Sequence, residues 1–125
     1  KITLHGSIYE EGDISKIASL CDCFIYPGSV GLSLIHAYAY GLPAIVHNNK
    51  NDHMPEISAF IDGYNGVSFY YKDKSSLSSV IDGISESKLI EMKRNAYNTV
   101  TTTYNIQDMA RRFSKLINLV TDDVI

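Results

Sequence analysis

The sequence contains only two cysteines, and Cys21 and Cys23 stand too close together to bridge comfortably and have no histidines at zinc-like spacing. A disulfide framework and a structural zinc site are therefore excluded, and the two residues read as reduced thiols packed near the start of a strand. Basic residues are also few, with 11 Lys and Arg against 14 Asp and Glu and a formal net charge of −3. They are scattered along the chain, so the basic patch that phosphate-backbone binding needs is missing and nucleic acid is not an expected partner. No apolar run approaches the ~20 residues of a membrane-spanning helix, and the N-terminus lacks the basic-then-apolar pattern of a signal peptide. The expected compartment is the cytoplasm. Gly-x-Ser-x-Gly is absent and neither Ser29 nor Ser33 has a convincing base partner, which removes the nucleophile elbow of hydrolases. There is no internal repeat and no low-complexity tract.

What is present is one domain's worth of chain, 125 residues of which 45% are hydrophobic, enough to bury a real core. Lys1-Ile2-Thr3-Leu4 opens in a strand pattern with no lead-in, so the expectation is a piece of a longer protein. The stretch from Tyr26 to Pro43 organises the rest. A glycine-bearing turn opens there onto a short apolar helix, between the strand-like runs Cys23–Tyr26 and Ala44–Val46, which makes it the crossover of a βαβ unit joining parallel strands. Gly28 and Gly31 would let the backbone approach a ligand, and the N–H groups of Val30, Gly31, Leu32 and Ser33 would point out of the helix start toward an anion such as phosphate. The competing reading is that the two glycines only make a tight strand-to-helix turn.

In chain order, Ile2 to His5 reads as a strand ended by Gly6, and Ile14, Ile17, Ala18 and Cys21 form one face of a helix capped by Asp13. The second strand is Cys23 to Tyr26, and the second helix runs from Gly31 to Tyr40 with Gly41 at its C-cap. Ala44 to Val46 then leads into a polar loop, His47 to His53, at the strand's C-terminal end, where open α/β sheets hold ligands. Met54-Pro55-Glu56-Ile57 begins a short helix. Asp62-Gly63-Tyr64-Asn65-Gly66 is a turn cluster, and Val67 to Tyr71 is a fourth strand. The remainder is helical: Lys74 to Ile84, Ser87 to about Thr103, with early fraying expected over its β-branched end, and Ile106 to Val120. In the last of these, Ile106, Met109, Ala110, Phe113, Leu116, Ile117 and Val120 share a face that should be covered by protein. The fold class is therefore α/β, a Rossmann-like parallel sheet with flanking helices and a helical C-terminal tail, over a single domain 1–125. His36 stands about one and a half turns into the second helix, near enough to its open end to reach a sugar hydroxyl, although a position in the helix–sheet seam fits the periodicity equally well. His47, Asp52 and His53 could hold a metal only without a fixed ligand spacing, so solvated loop polarity is the better reading and no metal or cofactor is expected.

Pro27 through Pro43, followed by Pro55-Glu56 and Asp62-Gly63-Tyr64-Asn65-Gly66, resembles the C-terminal donor-binding domain of family 4 glycosyltransferases, enzymes of the GT-B fold. Pro27, Gly31, Leu32, Ala37, Ala39, Gly41, Pro43, Pro55, Glu56, Asp62, Gly63, Asn65 and Gly66 stand in register with the family pattern, and the resemblance covers most of the chain. Two positions depart from it. Gly28 and His36 occupy the places of the family's paired glutamates, the first associated with the donor sugar and the second with the nucleotide ribose. Pro-Gly-Ser-Val-Gly-Leu with His looks like a variant found in bacterial surface-polysaccharide transferases.

The resemblance implies a retaining hexosyltransferase that takes its sugar from a uridine or guanosine diphosphate donor. The amides of Gly31 and Leu32 would hold the diphosphate, with Gly28, Ser29 and Val30 in the same loop. His36 would hold the ribose, Ser7 and Ile8 the base edge, and Glu56 the sugar or the loop that shapes its pocket. A glycan or lipid-linked acceptor would bind through a further N-terminal domain, with peripheral membrane association of the full-length protein, and this chain alone would transfer nothing. The absence of both glutamates keeps open a catalytically silent nucleotide-sugar-binding or assembly domain. A sugar-nucleotide 2-epimerase of the same fold is a further alternative, whereas a flavodoxin-like regulator would need an acidic pocket or flavin loop that is not seen.

Overall fold

The computed structural model describes residues 1–122. Three short strands, β1 (Phe24–Tyr26), β2 (Ala44–His47) and β3 (Gly66–Phe69), form one parallel sheet in the order β1-β2-β3. Phe24 pairs with Ala44 and Tyr26 with Val46 on one side of β2, and Ala44 pairs with Gly66 and His47 with Phe69 on the other. All four residues of β2 are buried, as the continuous apolar run of a central parallel strand requires. Five α-helices accompany the sheet: α1 (Glu11–Ser19), α2 (Ser33–Ala39), α3 (Lys74–Gly83), α4 (Glu86–Thr102) and α5 (Ile106–Asp122). Two 3₁₀ turns, Lys50–Asp52 and Pro55–Ala59, lie between β2 and β3.

The main core forms where α2 crosses the sheet. Leu34 and Tyr38 of α2 pack with Val30, Ala44, Val46 and Ala59 and with Ala96 and Val100 of α4, while Ala37 turns to Ala18 and Leu42 in a smaller cluster under α1. Helix α2 ends as its sequence requires. Gly41 takes φ +68° and donates its N–H to the Tyr38 carbonyl, and Leu42 N–H reaches the Ala37 carbonyl, the paired bonds of a glycine C-cap. Asp73 and Ser85 cap α3 and α4 through the Ser76 and Lys88 amides. Helix α4 runs through its threonines, whose hydroxyls at Thr99, Thr101 and Thr102 donate back to the carbonyls of Asn95, Tyr97 and Asn98, and the fraying expected there does not occur before Thr102, the helix being held by its buried Ala96 and Val100.

Four expectations are corrected. Residues 2–5 are not a strand: Ile2 and Leu4 are 89% and 91% exposed and no ladder pairs them among the described residues, and a strand without a partner gains nothing to fix its backbone. The sheet therefore has three strands where the sequence suggested four. Helix α1 starts at Glu11, two residues before Asp13, because the Asp13 and Ile14 amides both donate to the Glu10 carbonyl; Asp13 instead pairs with Lys16 at 3.1 Å. Helix α2 starts at Ser33 and not Gly31, since Val30 is held to a neighbouring loop. The apolar face of α5 is left largely open by the described residues: Ile106, Met109, Phe113, Leu116, Ile117 and Val120 are all more than half exposed.

Candidate functional site

The C-terminal ends of β1 and β2 deliver two loops to the same edge of the sheet, residues 27–32 and residues 48–54. Three hydrogen bonds lace them together. Ser29 Oγ donates to Asp52 Oδ2 at 3.0 Å, Val30 N–H donates to His53 Nδ1 at 3.0 Å, and Met54 N–H donates to the Val30 carbonyl at 3.0 Å. Val30 is fully buried, so its side chain anchors the loop in the core while its backbone is spent on the neighbouring loop. The Val30 amide is therefore not an anion donor, contrary to the sequence reading. Gly31, Leu32 and Ser33 keep their N–H groups without an acceptor among the described residues.

Gly31 faces inward rather than toward open space. A Cβ there would stand 3.2 Å from Met54 Cγ and 3.9 Å from a carboxylate oxygen of Glu56, so this glycine makes room for the 54–56 segment first. Glu56 Oε2 is buried beside it with no hydrogen-bond partner among the described residues. Gly28 is roomier, since a Cβ there would meet only the Tyr26 ring at 3.5 Å.

His36 is exposed, not packed in the helix–sheet seam, and with Ser33 it lines a cavity of about 360 Å³ between α1, β1 and α2. Ile8 lines the same cavity, so the residues read as ribose and base contacts come together, with Ile14, Ile17 and Phe24 making an apolar wall. Ser7 is exposed and does not line it. The Leu32 side chain points the other way, into a groove shared with Ile35 and the start of α5. Glu56 joins the site through Gly31 and not through the cavity.

The histidine loop is ordered and partly buried. His47 is 2% exposed, its ring stacked on His53 with centroids 3.9 Å apart and flanked by Tyr71 and Phe69. Burial, and then the neighbouring His53, push the His47 pKa below its ordinary value, with Asp52 opposing them, so the ring is neutral near pH 7. Asp52 Oδ2 lies 3.4 Å from His47 Nε2, yet neither it nor the nearby Gly28 backbone closes a well-formed bond to the ring. The sequence brought His47, Asp52 and His53 together but read them as solvated loop polarity; the structure corrects this for His47, which closes the buried strand β2, because histidines six residues apart in a polar loop carry no helical or strand period to report their burial.

Among the described residues no helix is long and apolar enough to cross a membrane. No protein-family profile matches the sequence, and no curated protein sequence does. Solved structures do match. The chain superposes on sucrose-phosphate synthase from Thermosynechococcus elongatus with a TM-score of 0.71 and 19% identity, covering 86% of this chain and 27% of that one. It superposes on the C-terminal domain of the glycosyl transferase group 1 family protein LpcC from Francisella tularensis with a TM-score of 0.66 and 23% identity, covering 81% of this chain and 52% of that one. The chain thus spans about a quarter and about half of these two structures. Their shared architecture is one of fold: the parallel sheet, flanking helices and helical C-terminal segment of this chain are those of the C-terminal half of a GT-B protein.

Proposed function

We propose that this chain is the donor-binding half of a retaining glycosyltransferase that takes a hexose from a uridine or guanosine diphosphate sugar. The observation that carries this reading is the set of Gly31, Leu32 and Ser33 amides, left without acceptors among the described residues in the loop that leads into α2, whose Ser33 and His36 line the cavity with Ile8. A diphosphate offers the acceptors those amides lack. Helix α2 has only seven residues, so its dipole adds little and the direct N–H bonds must do most of the holding. The apolar wall of the cavity suits a base. His36, which lines it, can both donate to and accept from ribose hydroxyls, and the unpartnered Glu56 oxygen beside Gly31 is the acceptor that this reading assigns to a sugar hydroxyl. Negative charge developing on the leaving diphosphate would be met by the loop amides, so no metal ion is invoked. The acceptor, a glycan or lipid-linked sugar, and any peripheral membrane association of the full-length protein would belong to chain beyond this domain, which on its own should transfer nothing.

The missing side chain at Gly28 favours one second reading, a domain that binds the nucleotide sugar but does not turn it over. Both readings require the same nucleotide site. In calorimetric titrations with UDP and GDP, His36→Ala should bind about three- to twelve-fold more weakly than wild type, the cost of one lost hydrogen bond, and His36→Gln should recover part of the difference. A 2′-deoxy nucleotide should be discriminated against by the wild type and not by His36→Ala. Because His36 is exposed, its loss should leave the melting temperature unchanged; equal affinities for wild type and His36→Ala would remove the ribose role.

A further inference from the structure

We propose that His53 is the positioning residue of the glycine loop, an inference that rests on reading that loop as the donor site. A backbone N–H can only donate and a carbonyl can only accept, so the two contacts of this ring fix its chemistry. Nδ1 accepts from Val30 N–H at 3.0 Å and must be unprotonated, while Nε2 lies 2.9 Å from the His47 carbonyl and must carry the hydrogen. His53 is thus held as the neutral Nε2–H tautomer, a bridge from the end of β2 to the middle of the loop 27–32. Both nitrogens are consumed by this bridge, so His53 has no group left for a ligand and acts through the loop.

The bridge is braced on every side. The ring stacks on buried His47, the residue after it ties Val30 from the carbonyl side, and the residue before it, Asp52, accepts from Ser29 Oγ. No other side chain among the described residues reaches the Val30 amide. Remove the imidazole and a donor in the protein interior loses its acceptor, so Val30 is held from its carbonyl side alone and the loop loosens on the amide side, next to the three amides of Gly31, Leu32 and Ser33. His53 therefore decides whether those amides present one arrangement or several, and the cost of reordering them falls on ligand affinity.

Two measurements on the 125-residue chain test the assignment. In the wild type without ligand, the ring ¹⁵N shifts of His53 should show an unprotonated Nδ1 and a protonated Nε2, and the Val30 amide should be protected from hydrogen exchange. His53→Gln, whose amide can accept through oxygen and donate through nitrogen, should keep Val30 protection and hold UDP affinity within about twofold. His53→Ala should lose Val30 protection and about tenfold in UDP affinity while amides of the central strand, such as Ile45, stay protected. The Nδ1–H tautomer in the wild type would overturn the proposal, and that result needs no variant to fold. So would His53→Ala binding UDP as the wild type does with Val30 exposed. A wild type that shows the tautomer and the protected amide but binds neither UDP nor GDP would refute the donor reading and leave only the loop-holding role.

Discussion

Asn65→Leu should destabilise the protein by about 3–9 kcal/mol, enough to remove much of the stability of a domain this size. Asn65 is fully buried and all four of its side-chain hydrogen-bonding positions are used. Its Oδ1 accepts from Tyr38 Oη and from Ile61 N–H, both at 2.8 Å, and its Nδ2 donates to the Ala59 carbonyl at 2.8 Å and to Thr99 Oγ1 at 3.1 Å. One side chain thereby joins α2, the 3₁₀ turn at 55–59 and α4. Leucine fills the volume but strands the Tyr38 hydroxyl, the Ile61 amide and the Ala59 carbonyl; Thr99 survives, because its hydroxyl also donates to Asn95. Three orphaned groups at about 1–3 kcal/mol each set the size of the loss. Tyr38 shows how deep the network lies, since burial alone pushes its phenol well above the ordinary tyrosine range. Chemical denaturation of the two proteins measures the difference, and a loss below about 1 kcal/mol would mean that the network is not what joins these elements.

Gly66→Ala should be nearly as damaging, at about 3 kcal/mol or more, through a different mechanism. A Cβ at position 66 would lie 2.2 Å from the Ala44 carbonyl oxygen and 2.6 Å from Phe60 Cε2. Phe60 could turn aside, but the carbonyl belongs to the backbone of β2 at the residue paired with Gly66, so relief requires opening the β2–β3 ladder at its first rung. Gly83→Ala is the control, because nothing lies within 4 Å of the Cβ it adds and the residue closes a helix. Thermal melts of the two variants should separate widely; a Gly66→Ala melt close to that of Gly83→Ala would show that β3 is not seated against Ala44 as described.

These two residues also show what the sequence conveyed and what it hid. The cluster Asp62 to Gly66 was legible as a turn and as part of a resemblance to donor-binding domains, yet its residues serve architecture: Asp62 accepts from the Ser68 amide, Gly63 takes φ +74°, Asn65 joins three elements and Gly66 lets two strands meet. Local chemistry was readable where one residue type answers one need, as with Gly41 ending α2. The βαβ order was readable for the same reason, since Ala44 to Val46 is an unbroken apolar run. Residues 2–5 misled because alternation promises a strand only where another strand is present to pair with it. The start of α2 was misplaced by two residues because the competing partner of Val30, His53, lies 23 positions away, and no local pattern reports such a bond. The face of α5 was correctly seen as apolar, but periodicity says which side of a helix wants cover and not what covers it.

His36 and Ile8 were placed together by the resemblance and are together in the fold, whereas Val30 and Ser7 were assigned to the same site and are not: one is bonded elsewhere and the other lies outside the cavity. What remains of the candidate site is small and well defined, three amides, one imidazole, one carboxylate oxygen and an apolar wall. The most direct test is an NMR titration of the uniformly ¹⁵N-labelled chain with UDP and with GDP. A donor-binding domain requires saturable shifts in the amides of Gly31, Leu32 and Ser33, with smaller ones at Ile8 and His36 and none at Val30. Shifts confined to other surfaces, or no shift at any of these five residues at millimolar nucleotide, would contradict it.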